Sequence, residues 1–148
     1  YSLIYVDESG FSKHQPRTHG YSVKGTRCYG KHNWGEKGRT NVIGALLAGT
    51  LLTVSLFETT INTDIFSAWI EQDLLSKLPP SSVVIMDNAA FHKNRKIRQA
   101  LQNAGHILLF LPPYSPDLNE IEHKWGEAKS KRRKTQMSIH QLFQVPFL

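Results

Sequence analysis

The chain has 148 residues, 40% of them hydrophobic, 10% aromatic and 20% charged, proportions that exclude a disordered tail, a collagen-like repeat and a long coiled coil. That length suits one domain around one core. Eighteen Lys and Arg against twelve Asp and Glu leave a net charge of +6, which calls for an anionic partner, either nucleic acid or a membrane surface.

The single cysteine, Cys28, excludes an internal disulfide and fits a reducing cytoplasm. The opening Ser-Leu-Ile-Tyr-Val run is too short for a signal-peptide core. The longest uncharged stretch, Val42 to Phe57, is split by Gly49-Thr50 and falls short of the roughly 20 residues that a helix needs to cross a bilayer. A chain that opens on a strand, without Met or leader, reads as a piece of a longer protein.

In chain order, Leu3 to Val6 is a β-type run ending on Asp7-Glu8-Ser9-Gly10, with Leu3, Tyr5 and Asp7 on one face and Ile4, Val6 and Glu8 on the other. Residues 13–39, rich in Gly, His, Lys and Arg, read as loop with a short strand around Arg27 to Tyr29. Asn41 to Ala48 and Leu51 to Phe57 form an antiparallel hairpin around Gly49-Thr50. Thr63 caps a helix with apolar positions Ile65, Phe66, Trp69, Ile70 and Leu74, and Pro79-Pro80 stops it. Val83 to Met86 is a continuous apolar run, as in a strand buried on both faces, and ends on Asp87. A helix over Asn94 to Asn103, a strand over Ile107 to Leu111 and a helix from near Asn119, with Ile121, Trp125 and Ala128 one turn apart, complete the main pattern. Ser138 starts a further short helical pattern with Ile139, Leu142 and Phe143. Antiparallel strands followed by alternating helices and strands predict a mixed sheet flanked by helices.

The charge is segmented. Seven basic residues and one acid, Glu36, lie between Lys13 and Arg39, an acidic stretch follows, and basic residues return at Lys93 to Arg98 and Lys124 to Lys134. Such runs also solvate helix faces, but three of them, with Tyr21, Tyr29, Trp34 and Trp125 nearby, point to a phosphate backbone. No amphipathic helix opposes a basic face to a strong apolar one, so no membrane partner is expected.

Asp7 and Asp87 each follow a strand-like run, and the carboxyl ends of parallel strands are where sites form in open sheets. Two carboxylates brought together there repel each other unless a cation joins them, and Mg²⁺ suits one or two carboxylates plus phosphate oxygens. Glu122 offers a third acid near the start of the last long helix, with Asp117 and Glu120 as competitors. Asn119-x-x-Glu122 also has capping-box spacing, and Asp7 and Asp87 also read as turn residues. A zinc site from His14, His19, Cys28 and His32 lacks a tight ligand pair. Trp69 and Trp125 read as core, and no Gly-rich phosphate cradle suggests a nucleotide cofactor.

Val6-Asp7-Glu8-Ser9, Met86-Asp87-Asn88-Ala89-Ala90-Phe91-His92 and the run from Pro112 to Trp125, with 34 residues between Asp87 and Glu122, resemble the three signatures of mariner-like bacterial insertion-sequence transposases, members of the DDE superfamily. Trp34-Gly35 and Asn41 to Leu46 resemble the second-strand region, and the likeness spans roughly Leu3 to Arg133. It implies an α/β, ribonuclease-H-like five-stranded mixed sheet, an antiparallel hairpin plus parallel strands. Residues 1–148 would then form one catalytic domain lacking an N-terminal DNA-recognition domain, with 135–148 a non-native or truncated end. It implies Asp7, Asp87 and Glu122 as the catalytic, metal-binding triad, holding two Mg²⁺ or Mn²⁺ ions. Glu120 stands where many relatives have Pro, which leaves the choice between Glu120 and Glu122 open. Asn88, His92 and Asn119 would support the acids or touch DNA, and Lys131, Arg132 and Arg133 would bind the DNA backbone.

The expected activity is cleavage of transposon ends and transfer to target DNA by a homodimer on double-stranded DNA, in a bacterial, nucleoid-associated cytoplasmic setting. A DNA-binding remnant that no longer cuts and a stand-alone structure-directed nuclease on the same fold are the other readings.

Overall fold

The computed structural model describes residues 1–12, 38–88 and 94–144. Its elements are β1 (Ser2–Ser12), β2 (Arg39–Leu47), β3 (Thr50–Phe57), α1 (Thr63–Trp69, continuing through a π-helical stretch, Ile70–Leu74, and a last turn, Leu75–Lys77), β4 (Ser82–Met86), α2 (Arg95–Asn103), β5 (Ile107–Phe110), a 3-10 turn (Pro116–Leu118), α3 (Ile121–Thr135) and α4 (Ile139–Phe143). One sheet runs in the order β3-β2-β1-β4-β5. β1 is antiparallel to β2, and β2 to β3, whereas β4 lies parallel to both β1 and β5. This is the mixed sheet that the element pattern predicts. The short strand expected at Arg27 to Tyr29, His92, and the histidines and cysteine of the zinc alternative lie outside the described residues.

Three local details differ from the sequence reading. β1 does not stop before Asp7: β2 pairs with every residue from Ile4 to Ser12, and Phe11 is buried, so Ser9-Gly10 stays extended instead of turning. The β2–β3 hairpin turns on Ala48-Gly49, one residue earlier than expected, because Leu47 pairs with Thr50. Both turn residues have positive φ, 51° and 82°, the geometry that matches the twist of a tight hairpin and favours Gly. Finally, α1 is capped by Asn62 rather than Thr63, with the Asn62 side chain accepting from the Ile65 N–H at 2.9 Å.

Alternation along the strands splits the core between two sheet faces. Ile4, Val6, Ile43, Ala45, Val84, Met86 and Leu108 bury one face under α1 and α2, where Phe66, Trp69, Ile70, Leu74, Ile97 and Leu101 cover it. On the other face, Phe11, Val42 and Leu46 pack against Ile121, Trp125 and Ile139 of α3 and α4. Trp69 and Trp125 are therefore core, as expected. The π-helical stretch is tied to β3 by Asp73, whose Oδ2 accepts from Thr53 and Ser55 while Oδ1 pairs with Lys77 at 2.7 Å. The segment from residue 135 includes α4, capped by Ser138 and Gln141. Its Phe143 meets Phe11 and Trp125 edge-on at ring-centroid distances of 5.5 and 6.1 Å.

Candidate metal centre

The site arises from a mismatch in strand length. β4 pairs with β1 only as far as Met86 opposite Val6, whereas β1 continues to Ser12. Asp7 is thus the first β1 residue beyond the end of β4, and Asp87 follows that end directly. One carboxylate oxygen from each of Asp7, Glu8 and Asp87 lies within 4.8 Å of the other two. Among the described residues no other group of three or more His, Cys, Asp or Glu side chains is so placed.

Glu122 approaches Asp7 from α3 and is among the groups that raise the Asp7 pKa. Buried Asn119 sets this approach. Its Nδ2 donates to the Val6 carbonyl at 3.5 Å and its Oδ1 accepts from the Ile121 N–H at 3.3 Å. One side chain therefore links the backbone preceding Asp7 to the backbone preceding Glu122. The capping expected of Asn119 is met in part: its Oδ1 accepts from the Ile121 N–H at the start of α3, while the Glu122 N–H donates to the Asn119 carbonyl.

Asp7 is 2% exposed. Burial, the Glu8 charge, hydrogen bonds to the Glu122 and Glu8 carboxyls, and the Asp87 charge push its pKa up from the usual carboxylate range to about 10. Like charges gathered in a low-dielectric crevice retain a proton unless a cation replaces it. The donor set is carboxylate oxygen only, which fits a hard divalent ion such as Mg²⁺ or Mn²⁺ rather than zinc.

The remaining sequence candidates sort by position. Asn88 is half-buried beside Asp87, and its Oδ1 is buried without a hydrogen-bond partner among the described residues. Glu120 and Asp117 are exposed. Burial and then the charge of Glu120 raise the pKa of the Tyr5 phenol, whereas Glu122 is among the groups that raise that of Asp7. Lys131 and Arg133 are exposed on α3. Arg132, expected on the DNA backbone, is only 4% exposed and its guanidinium donates to the carbonyls of Met137 and Ser12. It holds α3 to the end of β1 and is not open to a phosphate. Glu8 was missed from the sequence because alternation sends it to the opposite face from Asp7; only the early end of β4 lets both side chains lean into one gap.

A five-stranded mixed sheet with acids on β1, just past β4 and on α3 defines a ribonuclease-H-like domain. Residues 2–142 match the DDE superfamily endonucleases, and the chain belongs to that family. Among solved structures it is similar to a Mos1 transposase paired-end complex with the left transposon end, at TM-score 0.68 and 16% identity, over 98% of this chain and 48% of that one. It is also similar to the catalytic domain of Mos1 mariner transposase, at TM-score 0.60 and 16% identity, over 98% of this chain and 71% of that one. A structure of that catalytic domain with raltegravir and Mg matches at TM-score 0.59 and 16% identity, over 97% and 71%. The chain thus spans about half the length of the Mos1 transposase in the paired-end complex. At these identities the likeness establishes the fold. No curated protein sequence matches the chain. No helix among the described residues is long and apolar enough to cross a membrane.

Proposed function

We propose that this domain cleaves DNA strands and joins the freed ends to target DNA, as the catalytic part of a mariner-like transposase acting as a homodimer. The observation that carries this reading is the cluster of Asp7, Glu8 and Asp87 at the gap beyond β4, with Glu122 among the groups that raise the Asp7 pKa, in a chain of the DDE endonuclease family. Two Mg²⁺ or Mn²⁺ ions held by Asp7, Asp87 and Glu122 would neutralise the carboxylates, make an oxygen nucleophile available and stabilise the leaving oxygen of a phosphodiester.

The chain's own residues have distinct tasks. Asp7, the most buried acid among the described residues, would hold the metal together with Asp87 and Glu122. Asn119 fixes the spacing of Asp7 and Glu122 by bonding to the backbone beside each. Asn88 presents a buried amide oxygen next to Asp87, available to the same centre. Lys131 and Arg133 supply exposed cations on α3 for the DNA backbone. Water would attack the phosphate positioned over the acids and release a 3′-hydroxyl, which would then attack a target phosphodiester and displace its 3′-oxygen, with no covalent attachment to the protein.

The test is strand nicking of DNA carrying the element's ends, with Mg²⁺, by the wild type and by Asp87→Asn. The substitution keeps the shape and removes one charge, and activity is expected to be lost. Nicking at the wild-type rate by the Asp87→Asn protein would sink the assignment.

A further inference from the structure

We infer that Arg39 binds a DNA phosphate beside the acid cluster, a role that rests on the cleavage reading above. Arg39 opens β2 and pairs with Ser12 of β1, which places its side chain on the same sheet face as Ser12, Gly10 and Glu8. The guanidinium does not stay at its register position. A Cβ built on Gly10 would come within 2.8 Å of the Arg39 Cζ, with Nε and Nη2 closer still. The side chain has therefore advanced two residues along β1, from Ser12 over Gly10 and toward Glu8, one of the acids at the gap.

Three observations make this a binding arrangement rather than a solvated charge. Arg39 is exposed, so its donors are open to a partner. Among the described residues its guanidinium makes no hydrogen bond or ion pair, although acids lie in the direction it points. Gly10 leaves the space in which the planar group lies on the strand, which restrains it before any ligand arrives. A guanidinium with free donors, held over Gly10 two residues from Glu8 along β1, matches the fork that phosphate oxygens accept. Because the cluster repels a polyanion, a fixed cation at its rim also offsets that repulsion where the strand enters.

The test is binding of a short labelled DNA duplex across a salt series. Arg39→Ala and Arg39→Gln are expected to weaken binding about fivefold near 0.15 M salt and to make the salt dependence shallower by about one phosphate contact. Arg39→Lys should recover the salt dependence without the full affinity. Gly10→Ala keeps every charge but displaces the guanidinium, so it should weaken binding as well; a simple loss of net charge predicts no effect there. Because Arg39 is exposed, thermal unfolding of its variants is expected to match the wild type, and the two Arg39 substitutions decide the matter if Gly10→Ala does not fold. Wild-type affinity and salt dependence in both Arg39 variants would overturn this role alone. A wild-type protein with no salt-dependent affinity for DNA would overturn the cleavage reading and this role with it.

Discussion

Trp125 rests directly on Gly44: a Cβ at residue 44 would stand 2.7 Å from the Trp125 Cη2. Gly44 is the register partner of Asp7 on β2, and Trp125 lies one turn beyond Glu122 on α3. The missing side chain at 44 therefore lets α3 settle close enough for Glu122 to reach Asp7. Gly44→Ala should push α3 outward, destabilise the fold by about 1–3 kcal/mol as an overpacked core contact, and reduce cleavage at temperatures where the variant is still folded. Comparing nicking rates well below the melting point checks this, and an unchanged rate there would show that α3 can shift without disturbing the acids.

Asp7 links stability to pH and to metal. Its folded pKa of about 10 lies far above the ordinary value of 3.8, so between those values the folded state holds a proton that the unfolded state has released. Without divalent cations, this group's contribution is fully present below about pH 4 and is lost progressively as pH rises toward 10. Asp7→Asn should remove that slope and, in EDTA, melt above the wild type near pH 8. Mg²⁺ should raise the melting temperature of the wild type more at pH 8 than at pH 6, and that of Asp7→Asn far less. Thermal unfolding on a pH and Mg²⁺ grid decides it; a wild type indifferent to both variables would remove the cation from the picture.

Glu122 and Glu120 should separate cleanly. Glu122 is among the groups that raise the Asp7 pKa and Glu120 is exposed, so Glu122→Gln is expected to cost at least about 100-fold in cleavage, beyond the effect of disturbing a metal's outer contacts. Glu120→Gln should leave cleavage close to wild type. The reverse ranking in a nicking assay would place the third acid at 120.

Arg132 and Lys131 are neighbours with different expected phenotypes. Arg132→Met removes charged hydrogen bonds to the Ser12 and Met137 carbonyls and should cost about 1.5–3 kcal/mol of stability. Lys131→Gln should leave the melting temperature unchanged and weaken DNA binding. Denaturant unfolding and a DNA-binding titration on both variants test the pair; equal stability of the two would mean that the α3 to β1 tie is dispensable.

Much of the fold is written in short-range pattern. The buried run Val83 to Met86, the helical stripe from Ile65 to Leu74 and the paired runs around Gly49 all report local periodicity, and each appears within a residue of where the pattern puts it. The site was legible in part, because Asp87 follows an apolar strand and the run from Pro112 to Trp125 carries Glu122. What the sequence hides is relative length. That β4 stops opposite Val6 while β1 runs on to Ser12 is a property of two strands far apart in the chain, and it alone brings Glu8 into the cluster. Arg132 sits in a run of four basic residues, and only its packing against the end of β1 distinguishes it from its neighbours. Arg39 reads as one more basic residue until Gly10 is found beneath it.

The early end of β4 also gives β1 two edges with different kinetics. As far as Val6 the strand is bonded on both sides, but from Asp7 to Ser12 only β2 pairs with it among the described residues. Amides in that second half that point toward β2 should exchange slowly with deuterium, while those pointing toward the missing β4 should exchange quickly. The strand would thus carry an alternating pattern of slow and fast labels that begins at the very residue where the acids gather.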